Sequence, residues 1–171
     1  YGISNKFSEY KKYIGLPFTK ILGKLKINTN LHQSIKDHYS IISSANKRLI
    51  KLNPDVIYVL DWLKEHSISI GIVTSKDNVR TYELLEYFQL NISLIITPEL
   101  TKSGKPSSEP ILFAAKKLNI DLNQIVFIGD MYSDMLCAFN SNCHYLHYIN
   151  GYQKLNHQMY GGQISSIKDI I

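Results

Sequence analysis

The chain has 171 residues, of which 44% are hydrophobic and 19% charged, values typical of one globular domain or one domain with a modest insertion. No apolar run approaches the roughly 18–20 residues that span a bilayer, so we expect no membrane partner and a cytoplasmic location. The two cysteines, Cys137 and Cys143, are too few for a disulfide scaffold or a zinc cluster, and we expect buried thiols.

Most of the positive charge lies in the first third of the chain. Residues 1–52 contain ten Lys or Arg and two acids, whereas residues 53–171 contain nine and twelve. No nucleic-acid-binding module accompanies these lysines, so we expect no nucleic-acid partner. Two interpretations stay open: lysines that are simply solvated, or a positive lid over an anionic substrate.

The first 52 residues predict a small helical unit. Two short helical stretches flank a break at residues 15–17, and a helix of nearly twenty residues follows, because apolar side chains repeat there at helical spacing. These side chains are Ile35, Tyr39, Ile42 and Leu49. We expect a domain boundary near residues 51–54, with a helical domain at 1–52 and a second domain at 53–171.

Strands and helices alternate after this boundary. Asn53, followed by Pro54, predicts the start of a helix over about residues 54–66. The elements that follow are a strand at 68–73, a helix at 79–89, a strand at 94–96, a helix from 111 to 118, a strand at 125–128, a helix through 134 and 138, a weaker strand at 144–149 and a closing segment at 164–171. This alternation predicts an α/β fold with a parallel sheet.

Polar side chains follow three of the predicted strands. Thr74 ends the first, Lys105 lies in the loop after the second, and Asp130 directly follows the third, with Asp134 one helical turn later. Ligands of parallel sheets bind at the carboxyl ends of the strands, so we expect these side chains to converge. A hydroxyl and an ammonium group suit phosphate oxygens, and carboxylates suit Mg²⁺.

Each of these motifs also has an ordinary structural interpretation when it is taken alone. A strand that ends in Thr-Ser is common, Gly-Lys-Pro is a frequent surface loop, and an aspartate after a strand is typical of a helix N-cap. Their fixed order on successive strand ends is much more specific than any one of them.

Together the motifs resemble the haloacid dehalogenase superfamily, and within it the branch similar to phosphoglycolate phosphatase. Residues 71–76 are similar to that branch's apolar strand and Thr-Asn-Lys, with Ser75 in place of Asn. Residues 105–110 are similar to its Lys-Pro-x-Pro loop, with Ser108 in place of Pro. Residues 14–17 resemble the opening of its helical cap, and the resemblance covers about residues 10 to 150.

The resemblance implies a Rossmann-like, three-layer parallel sheet core with a small helical cap. It also implies a Mg²⁺-dependent phosphatase that acts on small phosphorylated metabolites. Thr74, Ser75 and Lys105 would bind the substrate, and Asp130 and Asp134 would bind the metal. Thr74, Lys105 and Asp134 would act in catalysis, with Asp134 orienting Lys105 or a metal-bound water.

One family motif is missing from the chain. Such enzymes attack phosphate with the first Asp of an Asp-x-Asp-x-Thr motif and form an aspartyl-phosphate, yet no Asp-x-Asp pair occurs in the sequence. The resemblance places that motif upstream of Tyr1, on a central strand between those at 68–73 and 125–128. We therefore expect a longer parent enzyme, with the chain by itself inactive and poorly able to fold.

Two other functions stay open: a phosphosugar mutase of the same fold, and a non-catalytic protein whose basic helical part binds an anionic partner. The histidines point to neither function. His32 and His38 lie in the predicted cap, where surface positions are favoured over substrate contacts. His144 and His147 would point to opposite sides of a strand. The sequence gives no oligomeric state.

Overall fold

The computed structural model describes residues 2–171, in which seven helices and five strands follow one another. The helices are α1 Phe7–Lys11, α2 Phe18–Lys24, α3 His32–Ala45, α4 Val56–Glu65, α5 Asn78–Tyr87, α6 Glu109–Leu118 and α7 Tyr132–Ser141. The strands are β1 Gly71–Val73, β2 Leu94–Ile96, β3 Val126–Gly129, β4 His144–Tyr148 and β5 Gln163–Ile164. Short 3-10 turns complete the described chain.

All strand pairs are parallel, but the strands form two separate sheets. β1 pairs with β2, and β3, β4 and β5 form the other sheet in that order. Within residues 2–171, β1 and β3 share no ladder, so each has a partner on one side alone. The sheet is divided at the place where the family resemblance predicts a further strand.

Helices connect the two sheets. Leu60 of α4 and Leu85 of α5 pack with Ile72 and Ile95, which are register partners in β1 and β2. In the second sheet, α6 and α7 enclose a core that includes Ile111, Met135, Cys137, Ala138, Cys143 and Tyr145. Helix α6 also contacts β1 and β2. The chain thus has the expected α/β fold, a Rossmann-like layered arrangement of parallel strands and helices.

Three predicted boundaries are wrong in detail. Leu49 lies in a 3-10 turn at Lys47–Leu49 beyond the end of α3, so that helix has 14 residues instead of nearly twenty. Asn53 does not cap α4, because its side chain donates a hydrogen bond to Tyr148 Oη and Asp55 occupies the N-cap position. β1 has three residues and not six, since β2 pairs with it over that length alone.

None of the helices within residues 2–171 has both the length and the apolar character that crossing a membrane requires. Cys137 and Cys143 are free and buried, as predicted.

Candidate active site

Lys105 is a buried cation, with 9% of its surface exposed. Its Nζ lies 2.6 Å from Oδ1 of Asp134 and donates a hydrogen bond of 3.3 Å to the carbonyl oxygen of Val73. A charge in the interior requires such partners, because desolvation penalises an unpaired ammonium group. Lys105 therefore joins the end of β1, in the first sheet, to the start of α7, which follows β3 of the second sheet.

Asp134 is 4% exposed, and its two carboxylate oxygens differ: Oδ1 has an ion-pair contact but no hydrogen-bond partner among the described residues, whereas Oδ2 is hydrogen-bonded. While Oδ1 pairs with Lys105, Oδ2 accepts hydrogen bonds from the backbone N–H groups of Asp130 and Met131 at 3.2 and 3.1 Å. These groups lie at the N-terminus of α7, where an acidic side chain is favoured. Of the roles predicted for Asp134, this geometry favours the orientation of Lys105.

Asp130 has one carboxylate oxygen in use. Oδ2 accepts a 2.6 Å bond from the N–H of Tyr152, and the main-chain carbonyl accepts one from the N–H of Gln153 at 3.3 Å. Within the described chain, Oδ1 has no hydrogen-bond partner. A Cβ added at Gly151 would overlap Cβ of Asp130, so the loop can approach this closely only because position 151 is glycine.

Thr74 and Ser75 follow β1 and have different partners. Oγ1 of Thr74 accepts a 3.1 Å bond from the N–H of Lys76, which leaves the hydroxyl hydrogen available to a ligand. Oγ of Ser75 instead donates a 2.6 Å bond to the carbonyl of Gly15. The Ser75 hydroxyl is thus committed to the N-terminal part of the chain, and its predicted role in substrate binding stays a prediction.

Gly15, predicted to lie at a helix break and in the opening of the helical cap, is also a contact point between distant parts of the chain. Its φ of +101° is in the region that favours glycine, and an added Cβ would lie 2.9 Å from Cε of Met131. Its carbonyl also accepts a long 3.5 Å bond from Ser133 Oγ. The N-terminal helices therefore meet the ends of both sheets at this residue.

A cluster of aromatic and charged side chains lies beside the β1 end of the site. Arg80 is 6% exposed, with Nε 2.6 Å from Asp77 Oδ2 and its guanidinium carbon 4.6 Å from the Tyr39 ring centroid. Burial, together with Tyr39, raises the pKa of Tyr10 to about 12. Burial and the neighbouring Arg80 lower the pKa of Lys76. The N-terminal helices and α5 thus meet around a positively charged group of side chains.

His32 and His38 lie in α3, and His144 and His147 lie in β4. A ring nitrogen of His32 contacts the carbonyl of Ile27 at 2.9 Å, and His38 lies on the exposed surface of α3. His144 and His147 point to opposite sides of β4, as predicted, and His147 is buried.

The donor set for a metal is small. Within residues 2–171 there is no group of three or more His, Cys, Asp or Glu side chains that could hold a metal ion. Mg²⁺ is commonly bound by one or two carboxylates, with waters and substrate phosphate completing its shell. Oδ1 of Asp130, which has no hydrogen-bond partner within residues 2–171, fits that pattern, whereas Asp134 has Oδ1 paired with Lys105 and Oδ2 hydrogen-bonded to the backbone.

The site therefore combines a buried ammonium group, an aspartate with an unused oxygen and a hydroxyl at the carboxyl ends of parallel strands. Residues 1–148 match the family model described as haloacid dehalogenase-like hydrolase. The chain belongs to this family. The resemblance inferred from the three motifs is confirmed, and the phosphatase relatives described below place the chain close to the phosphoglycolate phosphatase branch.

Sequence relatives of this chain include two proteins named phosphoglycolate phosphatase. The one from Mannheimia succiniciproducens is 26% identical over 112 residues, covering 64% of this chain and 50% of its own length. The one from Neisseria meningitidis is 29% identical over 110 residues, 63% of this chain and 44% of its own length. A Clostridium perfringens protein, PpaX, whose name proposes pyrophosphatase activity, is 36% identical over 90 residues, 51% of this chain and 42% of its own. The chain spans about half the length of these relatives.

Solved structures show the same fold. A hydrolase from Pseudomonas syringae superposes with a TM-score of 0.86 at 20% identity, covering 94% of this chain and 78% of its own. A haloacid dehalogenase-like hydrolase from Bacteroides fragilis gives a TM-score of 0.83 at 23% identity, covering 98% and 84%. At these identities the likeness concerns the fold and not the substrate.

Proposed function

We propose that the chain forms the helical cap and most of the core of a Mg²⁺-dependent phosphatase that acts on small phosphorylated metabolites. The observation that carries this proposal is the buried pair of Lys105 and Asp134, 2.6 Å apart and adjacent to Asp130. A cation fixed at the carboxyl ends of parallel strands, beside an aspartate with a free oxygen, suits a transferring phosphoryl group. The relatives' names, phosphoglycolate phosphatase and pyrophosphatase, agree with this chemistry.

In this proposal the side chains of the site have separate tasks. The Lys105 ammonium neutralises charge on the phosphoryl oxygens, and Asp134 holds that ammonium in place through its Oδ1 contact. The Thr74 hydroxyl, whose hydrogen is available, donates to a phosphoryl oxygen. Oδ1 of Asp134 is paired with Lys105 and Oδ2 is hydrogen-bonded to the backbone, so we propose that Asp134 orients Lys105. It would contact the metal only if its carboxylate rotated.

Asp130 would hold Mg²⁺ through Oδ1, while its Oδ2 stays bound to the N–H of Tyr152. When bound, the metal supplies positive charge that stabilises the phosphoryl oxygens during transfer. This arrangement requires one carboxylate ligand from the described chain, which agrees with the absence of a group of three or more metal-binding side chains within residues 2–171.

We further propose that the nucleophilic aspartate belongs to a strand that precedes this chain and lies between β1 and β3. The separation of the sheet into β1–β2 and β3–β4–β5 supports this position, since within residues 2–171 β1 and β3 each lack a partner on one side. With that aspartate absent, residues 1–171 alone would bind phosphate weakly and would not turn it over. Translation of the reading frame upstream of Tyr1 tests the proposal directly. The upstream sequence should contain an apolar strand that ends in Asp-x-Asp-x-Thr.

The function is tested by phosphate release from phosphoglycolate, pyrophosphate and p-nitrophenyl phosphate, with the longer protein that carries the upstream aspartate assayed in Mg²⁺ and after chelation. Asp130→Asn should abolish Mg²⁺-dependent hydrolysis, while Asp61→Asn, on the exposed surface of α4, should leave it unchanged. Undiminished hydrolysis by the Asp130 variant would contradict the assignment.

Two alternatives give other results in the same assay. A phosphosugar mutase would convert one sugar phosphate to its isomer and release little free phosphate. A non-catalytic binding protein would release none, and its basic N-terminal helices would bind an anionic partner in a salt-dependent way. The phosphatase names of the relatives favour hydrolysis over both. A cytoplasmic location and the absence of nucleic-acid and membrane partners remain part of the proposal.

A further inference from the structure

Lys76 is a half-buried cation without a counter-ion. It lies two residues after Thr74, in the loop that leads into α5, and its N–H donates the 3.1 Å bond to Thr74 Oγ1. Within residues 2–171 its ammonium group makes neither an ion pair nor a hydrogen bond. Burial, followed by the positive charge of Arg80, lowers the pKa of Lys76 from its ordinary value. Lys76 therefore differs from Lys105, whose charge is paired.

The carboxylate next to Lys76 is already engaged. Asp77 accepts the N–H of Arg80 through Oδ1 at 3.0 Å and the Nε–H of Arg80 through Oδ2 at 2.6 Å. Asp77 raises the pKa of Lys76, but by less than burial and Arg80 lower it. Because Arg80 takes both oxygens of Asp77, the Lys76 ammonium is partly removed from water without gaining an anion, which is unfavourable.

Thr74 and Lys76 line the same cavity, whose volume is about 300 Å³. Lys51 adds a second positive charge to its wall, and no acidic residue of the described chain lines it. Apolar side chains, among them ones of β1, α4 and α5, form most of the remaining wall. This volume is at the lower end for small-molecule sites, and the charge of the wall suits an anion. A small ligand that fills the cavity meets both Thr74 and the unpaired ammonium group.

We propose that Lys76 is a specificity-determining residue that binds a second anionic group of the substrate, a carboxylate or a phosphate, while Thr74 contacts the phosphoryl group. This inference rests on the proposed function, in which Thr74 belongs to the phosphate site. The favoured substrates are small phosphate esters with a further acidic group, and esters that end in an uncharged group bind less tightly.

The separation of Thr74 and Lys76 limits the size of such a substrate. The bond between the Lys76 N–H and Thr74 Oγ1 holds their backbones together, and the four-carbon stem of the lysine sets the reach of the ammonium group. The second anionic group is therefore only a few bonds from the phosphoryl group. Carboxylate and phosphate oxygens are the acceptors that an ammonium group binds most strongly, because both partners are charged.

The test of binding compares two esters of the same length. Phosphoglycolate ends in a carboxylate, and 2-hydroxyethyl phosphate carries a hydroxyl group in its place. Calorimetry on the longer protein that carries the upstream aspartate, with Mg²⁺ chelated, gives both Kd values without turnover. We expect phosphoglycolate to bind about 10-fold more tightly or better, since a hydrogen bond to a charged group is worth roughly that factor.

Substitution of Lys76 should remove this preference. Lys76→Met keeps the length of the side chain without its charge, and the ratio of the two Kd values should approach 1. Lys76→Arg keeps the charge and should retain part of the preference. Lys64→Met, on the exposed surface of α4, is the matched control and should leave the ratio unchanged. When Mg²⁺ is restored, the ratio of the two kcat/KM values should change in the same order.

Pyrophosphate identifies the kind of second anion. If Lys76→Met weakens phosphoglycolate binding alone, the group that Lys76 binds is a carboxylate; if it weakens both ligands, Lys76 binds either anion. The urea midpoint supplies a readout that is independent of ligands. Because the ammonium has no partner in the fold, Lys76→Met should not lower this midpoint, and a lower value would contradict the absence of a partner.

Three results would overturn the proposal. The unsubstituted protein could bind the two esters equally or bind neither, Lys76→Met could keep the preference, or Lys76→Met could weaken both esters by the same factor, as expected for a general effect on the phosphate site. Failure of the proposed function has a different signature. In that case neither ester would be hydrolysed in Mg²⁺, while the preference for phosphoglycolate and its loss in Lys76→Met would still be measured by calorimetry.

Discussion

The buried pair of Lys105 and Asp134 leads to a quantitative prediction about stability. Asp134→Asn keeps the shape of the side chain, and its amide oxygen can still accept from the backbone at the start of α7. The variant leaves the Lys105 ammonium, which is 9% exposed, with two uncharged partners: the Val73 carbonyl 3.3 Å away and the Phe127 ring, whose centroid lies 5.8 Å from Nζ. Breaking a buried ion pair by removing one member costs about 3–5 kcal/mol, because a charge stays buried without compensation.

The assay is urea unfolding followed by circular dichroism. We expect the free energy of unfolding to fall by about 3–5 kcal/mol with an unchanged denaturant slope. For a domain of this size, that loss corresponds to a decrease in Tm of roughly 6–20 °C. Asp61→Asn is the control, since the pair of Asp61 and Lys64 spans 3.9 Å at the exposed surface and should contribute less than about 1 kcal/mol.

A double variant separates the loss of the pair from the burial of a lone charge. Lys105→Met combined with Asp134→Asn removes both charges, so it should cost less than the sum of the two single substitutions. A loss below about 1 kcal/mol in Asp134→Asn would refute the reasoning, because the pair would then behave like one at the surface.

Two further predictions concern other contacts of the same region. Ser75→Ala removes the 2.6 Å bond to the Gly15 carbonyl and should lower the free energy of unfolding by about 1 kcal/mol in urea titrations. Ser133→Ala, which loses a 3.5 Å contact to the same oxygen, should cost less, and equal losses would contradict the assignment. Burial raises the pKa of the Cys137 thiol to about 12, so the folded state should keep it protonated and unreactive towards thiol reagents at pH 8. The pKa of this thiol is higher in the folded state than in the unfolded state, so its contribution to the free energy of unfolding is complete below pH 9 and is lost as the pH rises towards 12. Rapid labelling of Cys137 at pH 8 without unfolding would contradict this prediction.

Local patterns in the sequence predicted much of the fold. The alternation after residue 53 placed four helices and four strands close to their observed positions, since side-chain periodicity reflects which face of an element is buried. The boundaries were less accurate: Leu49 fits the helical spacing of α3 but lies outside it. Periodicity reports apolar spacing and not where backbone hydrogen bonding ends.

The candidate site was predictable in its members and not in their partners. The order of the motifs on strand ends predicted that Lys105, Asp130 and Asp134 converge, because the carboxyl ends of parallel strands share one edge of a sheet. In the structure, Asp134 contacts both Lys105 and the backbone N–H of Asp130. Nothing in the local sequence indicated that Ser75 would bond to Gly15, 60 positions earlier. A glycine at position 151 is compatible with a close approach of the backbone to another group. That this group is Asp130 depends on how two loops pack together.

By itself, the sequence determined the family and the layered α/β fold, and it predicted the residue types of the proposed phosphate site, because these follow from short-range periodicity and ordered motifs. Tertiary structure alone decided which carboxylate oxygens have partners within residues 2–171: Oδ1 and Oδ2 of Asp134, the first through an ion pair, and Oδ2 of Asp130. It also buried the strand residue His147, with its ring nitrogens facing Tyr145 and Gln153. Partners of this kind are distant in the chain, and only the packing of loops at the ends of the strands determines which of them meet.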